Sequence, residues 1–87
     1  MKEEKTQLAE QLLIKCIDLD QENIHARLEL GKLYIRLEKE DEAERLFKKC
    51  IELKSEDVHS RLELGKLYVR QGKKQEAQEL FEECITL

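Results

Sequence analysis

The heptapeptide LELGKLY occurs twice in this chain, at Leu28–Tyr34 and again 34 residues later at Leu62–Tyr68. The same shift carries Ala43 to Ala77, Leu46 and Phe47 to Leu80 and Phe81, and Cys50 and Ile51 to Cys84 and Ile85. Extended backwards, it finds Ala9, Leu12, Cys16, Ile17 and Leu19 in register. A fixed period of this size marks an array of stacked units, none of which can bury its apolar face alone. That constraint outranks any local propensity.

Each unit divides into two helices. In the first, Leu30, Leu33, Tyr34 and Leu37 recur at steps of three and four and make one apolar stripe. Asn23 and Asp57 stand just before Ile24 and Val58, where their side-chain oxygens can cap a helix start. In the second helix the stripe is Ala43, Leu46, Phe47, Cys50, Ile51 and Leu53. Gly72 is placed to end a helix in the left-handed conformation. Charged residues are 41% of the chain and proline is absent, a balance that suits solvated helices. The spacing predicts helices near 3–19, 23–37, 40–54, 57–71 and 74–87. The expected fold class is therefore all-α, a helix-turn-helix repeat solenoid of five antiparallel helices. Gly31 and Gly65 sit mid-helix, at a cost of about 1 kcal/mol relative to alanine. A close helix crossing would explain them, with Ala43 and Ala77 as the facing small residues.

Leu30-Gly31 followed by Tyr34, then Ala43 followed by Phe47, resembles the tetratricopeptide repeat, whose period is also 34 residues. Leu64-Gly65, Tyr68, Ala77 and Phe81 form a second copy. Ala9, Leu13 and Cys16 resemble the second helix of a copy whose first helix is missing. The resemblance implies a right-handed superhelix divided at 1–21, 22–55 and 56–87, the last unit lacking a capping helix. Four positions depart from the family pattern. Arg27 and Arg61 replace its early tryptophan, and Gln21 and Ser55 its inter-repeat proline. Glu38 replaces its turn glycine, which Gly72 keeps, and cysteine takes the small position late in the second helix.

Several function classes are disfavoured. The net charge of −4 argues against nucleic acid and anionic lipid as partners. No apolar run is long enough to span a membrane, and the opening MKEEKTQLAE lacks the apolar core of a signal peptide. A cytoplasmic protein with reduced thiols is expected. Cys16, Cys50 and Cys84 lie one repeat apart, so no single ion can bridge them, and they read as buried small hydrophobes. His25 with Glu29, and His59 with Glu63, share helix faces but supply only two ligands each, too few for a metal site. The few hydroxyls are scattered, so no enzyme, cofactor or metal is expected.

The family resemblance puts the first helix of each unit on the concave face. The inward set is then His25, Leu28, Lys32, Ile35 and Arg36, repeated as His59, Leu62, Lys66, Val69 and Arg70. Lys32, Arg36, Lys66 and Arg70 make a basic row beside apolar residues, partly offset by Glu29 and Glu63. The expected function is a non-catalytic scaffold for a protein or peptide partner, the peptide being acidic and partly apolar. The family's clamp for chaperone C-terminal carboxylates uses asparagines. Lysine and glutamate hold those places here, so that clamp is not supported. On the second helices, Arg45, Lys48 and Lys49 contrast with Glu79, Glu82 and Glu83, a difference that reads either as solvated outer faces or as steering between copies. Two rivals remain: a helical-repeat RNA binder, and a self-assembling fragment, excised or engineered. The second rests on two apolar stripes expected to lie open: Leu8, Leu12, Leu13 and Ile17 at one end, and Leu80, Phe81, Cys84 and Ile85 at the other. Homo-oligomers could then form through the terminal helices or by helix exchange.

Overall fold

A computed structural model describes residues 2–86 of the chain, with side chains from residue 4 onward. These residues form α1 (Lys2–Leu19), α2 (Ile24–Arg36), α3 (Glu40–Leu53), α4 (Val58–Arg70) and α5 (Lys74–Thr86). Every described helix end falls within a residue of the periodicity-based expectation. Leu87, where the fifth helix was expected to finish, lies outside the described residues.

The helix boundaries follow from local chemistry. The Asn23 side chain accepts from the Ala26 amide at 3.0 Å, and Asp57 accepts from the His59 amide at 3.1 Å. Within each hairpin the turn closes by two backbone bonds. Glu38 N–H donates to Ile35 O (3.1 Å) and Lys39 N–H to Tyr34 O (2.8 Å). Gly72 and Lys73 repeat both bonds on Val69 and Tyr68. This motif requires a left-handed residue at its corner. Gly72 takes it at φ 79°, and Glu38 takes it at φ 62° despite its side chain. The geometry is thus kept where the sequence lost its glycine, at a steric cost of roughly 1–2 kcal/mol. Glu38→Gly should therefore leave stability unchanged or raise it by about 1 kcal/mol, whereas Gly72→Ala should lower it by about 1 kcal/mol. Thermal melts of the two variants check the contrast.

Within the hairpins, α2 packs on α3 and α4 on α5; between units, α1 packs on α2 and α3 on α4. The mid-helix glycines are packing notches, but alanine is not what fills them. A Cβ built on Gly31 would lie 2.5 Å from the Phe47 ring, and one on Gly65 would lie 2.5 Å from the Phe81 ring. The expectation that Ala43 and Ala77 face the glycines is corrected accordingly. A glycine leaves a hole large enough for an aromatic ring, and the ring is the larger apolar surface to bury. Ala43 and Ala77 are themselves buried in the same core.

Phe47, Ala43, Leu28, Leu64, Leu67, Tyr68 and Ala77 form the buried cluster, with Tyr34, Ile35, Ile51, Leu80 and Phe81 packed against it. The core sits where one hairpin meets the next. Phe47 has no exposed surface, whereas Phe81, on the last described helix, is half-buried. Gly31→Ala should thus destabilise by roughly 1–3 kcal/mol despite alanine's better helix propensity. Gly65→Ala should cost less, since the Phe81 ring can move outward. Equal melting temperatures for wild type and Gly31→Ala would contradict the notch.

Candidate functional site

The inward set predicted for the first helices divides by burial. His25, Arg36, His59, Lys66, Val69 and Arg70 are exposed, and Lys32, Ile35 and Leu62 are half-buried. Leu28 must be removed from the accessible set: it is 9% exposed and belongs to the core. Its counterpart Leu62 stays half-open, outside the cluster that Leu28 shares with Leu64, Leu67 and Tyr68 of α4. The repeat makes the two residues equivalent in sequence, while their neighbours make them different in space.

The cations of this surface are partly paired. Lys32 lies 3.7 Å from Glu29 and Lys66 lies 3.4 Å from Glu63, one helical turn apart in each case. Arg70 reaches across to Glu40 on α3 at 3.3 Å. Arg36 has no ion-pair partner among the described residues. Such exposed pairs contribute little to stability, so a ligand carboxylate can displace them at small cost. The charged outer helices are likewise paired: Lys48 with Glu44 at 2.8 Å, Lys49 with Glu52, and Glu83 with Arg61.

The cysteines do not share one environment. Cys50 is buried, Cys84 is half-buried and Cys16 is exposed, which corrects the expectation of three equivalent buried slots. Cys50 and Cys84 direct their Sγ toward the carbonyls of Ile24 and Val58, at the starts of the first helices of their own units. No described helix precedes α1 to give Cys16 the same partner. Burial pushes the Cys50 thiol above its ordinary value, so it is a poor nucleophile. Among the described residues, no three His, Cys, Asp or Glu side chains converge to hold a metal ion. No helix among the described residues is long and apolar enough to cross a membrane.

Sequence reasoning overlooked a polar seam between units. The Tyr34 hydroxyl donates to Glu10 at 2.8 Å, and Tyr68 donates to Glu44 at 2.9 Å. Both pairs span 24 residues and are themselves one repeat apart. That Glu10 and Glu44 shift together with the tyrosines was the available signal. Lys39 and Lys73 cover the outer faces of the two rings, at 5.6 and 5.3 Å from the centroids. Burial, then the hydrogen bond and negative charge of Glu10, raise Tyr34 from 10.0 to about 12. A phenol held protonated in the folded state contributes stability below pH 10 that is lost as pH climbs toward about 12. Tyr34→Phe should cost about 1 kcal/mol at neutral pH and flatten the loss of stability above pH 10. Denaturant titrations across that range check both effects.

With this geometry in place, the class of the protein is an all-α array of helical hairpins in which each helix packs on the next. Residues 28–87 match a family model described as tetratricopeptide repeat, and residues 1–49 match a second of the same description. The chain belongs to the tetratricopeptide repeat family. Tetratricopeptide repeats are typically protein-interaction modules without catalytic machinery. No curated protein matches the sequence. Among solved structures, a crystal structure of MamA superposes with a TM-score of 0.89 at 24% identity, covering 94% of this chain and 48% of that one. MamA AMB-1 gives 0.83 at 28% identity, over 99% and 51%. The chain thus spans about half the length of the MamA structures. The second tetratricopeptide domain of Spaghetti (RPAP3), bound to the HSP90 peptide SRMEEVD, gives 0.85 at 26% identity, over 99% and 80%.

Proposed function

We propose that this array is a non-catalytic scaffold that binds an acidic, partly apolar peptide along α2 and α4. The observation that carries the reading is the repetition of one solvent-accessible set, exposed or half-buried, on successive first helices. Lys32, Ile35 and Arg36 recur as Lys66, Val69 and Arg70, and Val69 keeps 52% of its surface exposed. A peptide lying across these helices meets alternating cations and apolar surface, which suits acidic residues interspersed with aliphatic ones. The similarity to the RPAP3 domain supports the class of ligand, since SRMEEVD combines three acids with methionine and valine. Lysine and glutamate stand at the clamp positions, so the carboxylates would meet Lys32, Arg36, Lys66 and Arg70 rather than asparagine amides.

An acidic peptide with spaced aliphatic residues should bind weakly, and added salt should weaken it further. Reversing the charge at Lys32, Arg36, Lys66 and Arg70 together should abolish binding while the circular dichroism spectrum is retained. Fluorescence anisotropy with both proteins decides the matter, and unchanged binding by the reversed protein contradicts the groove. Single-stranded RNA in the same assay should give no signal.

A second reading has its own support in exposed apolar surface at the two ends. Leu8 is 56% exposed, Leu12 55% and Ile85 84%, while Leu13, Ile17, Leu80, Phe81 and Cys84 are half-buried behind them. Stripes of this kind commonly mark association sites. The chain would then pair with a second copy through α1 and α5, or by exchanging helices at turns that contain neither proline nor glycine. Light scattering at millimolar concentration should show a dimer or larger assembly; a monomer would contradict it.

A further inference from the structure

Two departures from the family pattern touch one another. The guanidinium of Arg27, at the tryptophan position, donates through Nη1 to the carbonyl of Gln21, which stands at the proline position. Arg61 does the same to Ser55 and also reaches the Asp57 carbonyl at 3.4 Å. A proline would stop the preceding helix and preset the joint; here a cation folded back from the next helix fastens it instead. Both arginines are buried, at 7% and 8% exposure, and these carbonyls supply the partners that a buried cation requires.

The two joints are not equal. Arg61 is also paired with Glu83 on α5, Nε to Oε2 at 3.3 Å. One repeat earlier, the place of Glu83 is taken by Lys49, which is similarly exposed and bound to Glu52 at 3.6 Å. Arg27 therefore holds its joint without the carboxylate that reinforces Arg61. The Tyr34–Glu10 and Tyr68–Glu44 bonds occur at both joints and do not distinguish them. Moreover, none of the described side chains of α1 is buried, whereas every other helix contributes at least one buried residue. We infer that residues 20–23 form a hinge latched by an Arg27 that no carboxylate reinforces, at which α1 detaches as a unit while α2–α5 stay folded together. Residues 54–57, latched by Arg61 and Glu83, open only with the whole array.

Hydrogen exchange on the full chain tests this. Amides of α1 should exchange faster than those of α2–α5. Arg27→Met should speed α1 exchange by roughly tenfold, as expected for loss of a hydrogen bond to a charged donor, without altering α4 and α5. Lys49→Glu installs the missing carboxylate and should slow α1 exchange by about twofold to fivefold. Glu83→Lys should transfer the weakness, speeding exchange at 54–57. Both of the last two changes are at solvent-facing positions and keep the test open even if Arg27→Met does not fold. The hinge is overturned if α1 exchanges at the same rate as α5, if Lys49→Glu leaves α1 exchange unchanged, or if Glu83→Lys leaves 54–57 as protected as before.

Discussion

The seating of Phe47 against Gly31 is the contact on which the rest of the array depends. It brings α2 and α3 close enough for Ala43 to be fully buried, and it sets the ring between one hairpin and the next. Leu64, Leu67 and Tyr68 of α4 join the same buried cluster. Packing inside a unit and stacking between units are therefore not separate events. The repeat reproduces the notch at Gly65 and Phe81, but with a ring covered on one side only. Interior packing is dense enough that such a half-covered copy contributes less than its sequence suggests.

The architecture was largely legible in the residues because three signals agreed. The 34-residue shift, the three-and-four apolar spacing and the capping positions Asn23 and Asp57 all demand the same helical hairpins. What stayed hidden depends on neighbours rather than on pattern. Leu28 and Leu62 open the same heptapeptide, yet only Leu28 joins the buried cluster with residues of the following hairpin. Cys16, Cys50 and Cys84 differ for the same reason. Burial of Arg27 and Arg61 was hidden because an isolated arginine in a helix ordinarily reads as solvated surface. Its meaning emerges only when the turn carbonyls of Gln21 and Ser55 are seen beside it.

Polar contacts in this molecule serve position more than stability. Tyr34 and Tyr68 tie each first helix to the preceding unit through a carboxylate, while Lys39 and Lys73 cover the rings from outside. Glu29, Glu63 and Glu40 pair with Lys32, Lys66 and Arg70 on the surface of α2 and α4. Exposed pairs of this type are individually weak, so they orient the cations without committing them. A ladder of oriented, displaceable cations beside Ile35 and Val69 is the chemistry that an acidic, aliphatic peptide would use.

Mapping backbone amide shifts during titration with such a peptide tests the groove most directly, because it reports where the ligand sits as well as whether it binds. The prediction is that shifts concentrate on the exposed residues of α2 and α4, from His25 to Arg36 and from His59 to Arg70, with α1 and α5 little changed. Shifts confined to α1 and the end of α5, around Leu8, Leu12 and Ile85, would contradict the groove and place the binding surface at the ends of the array.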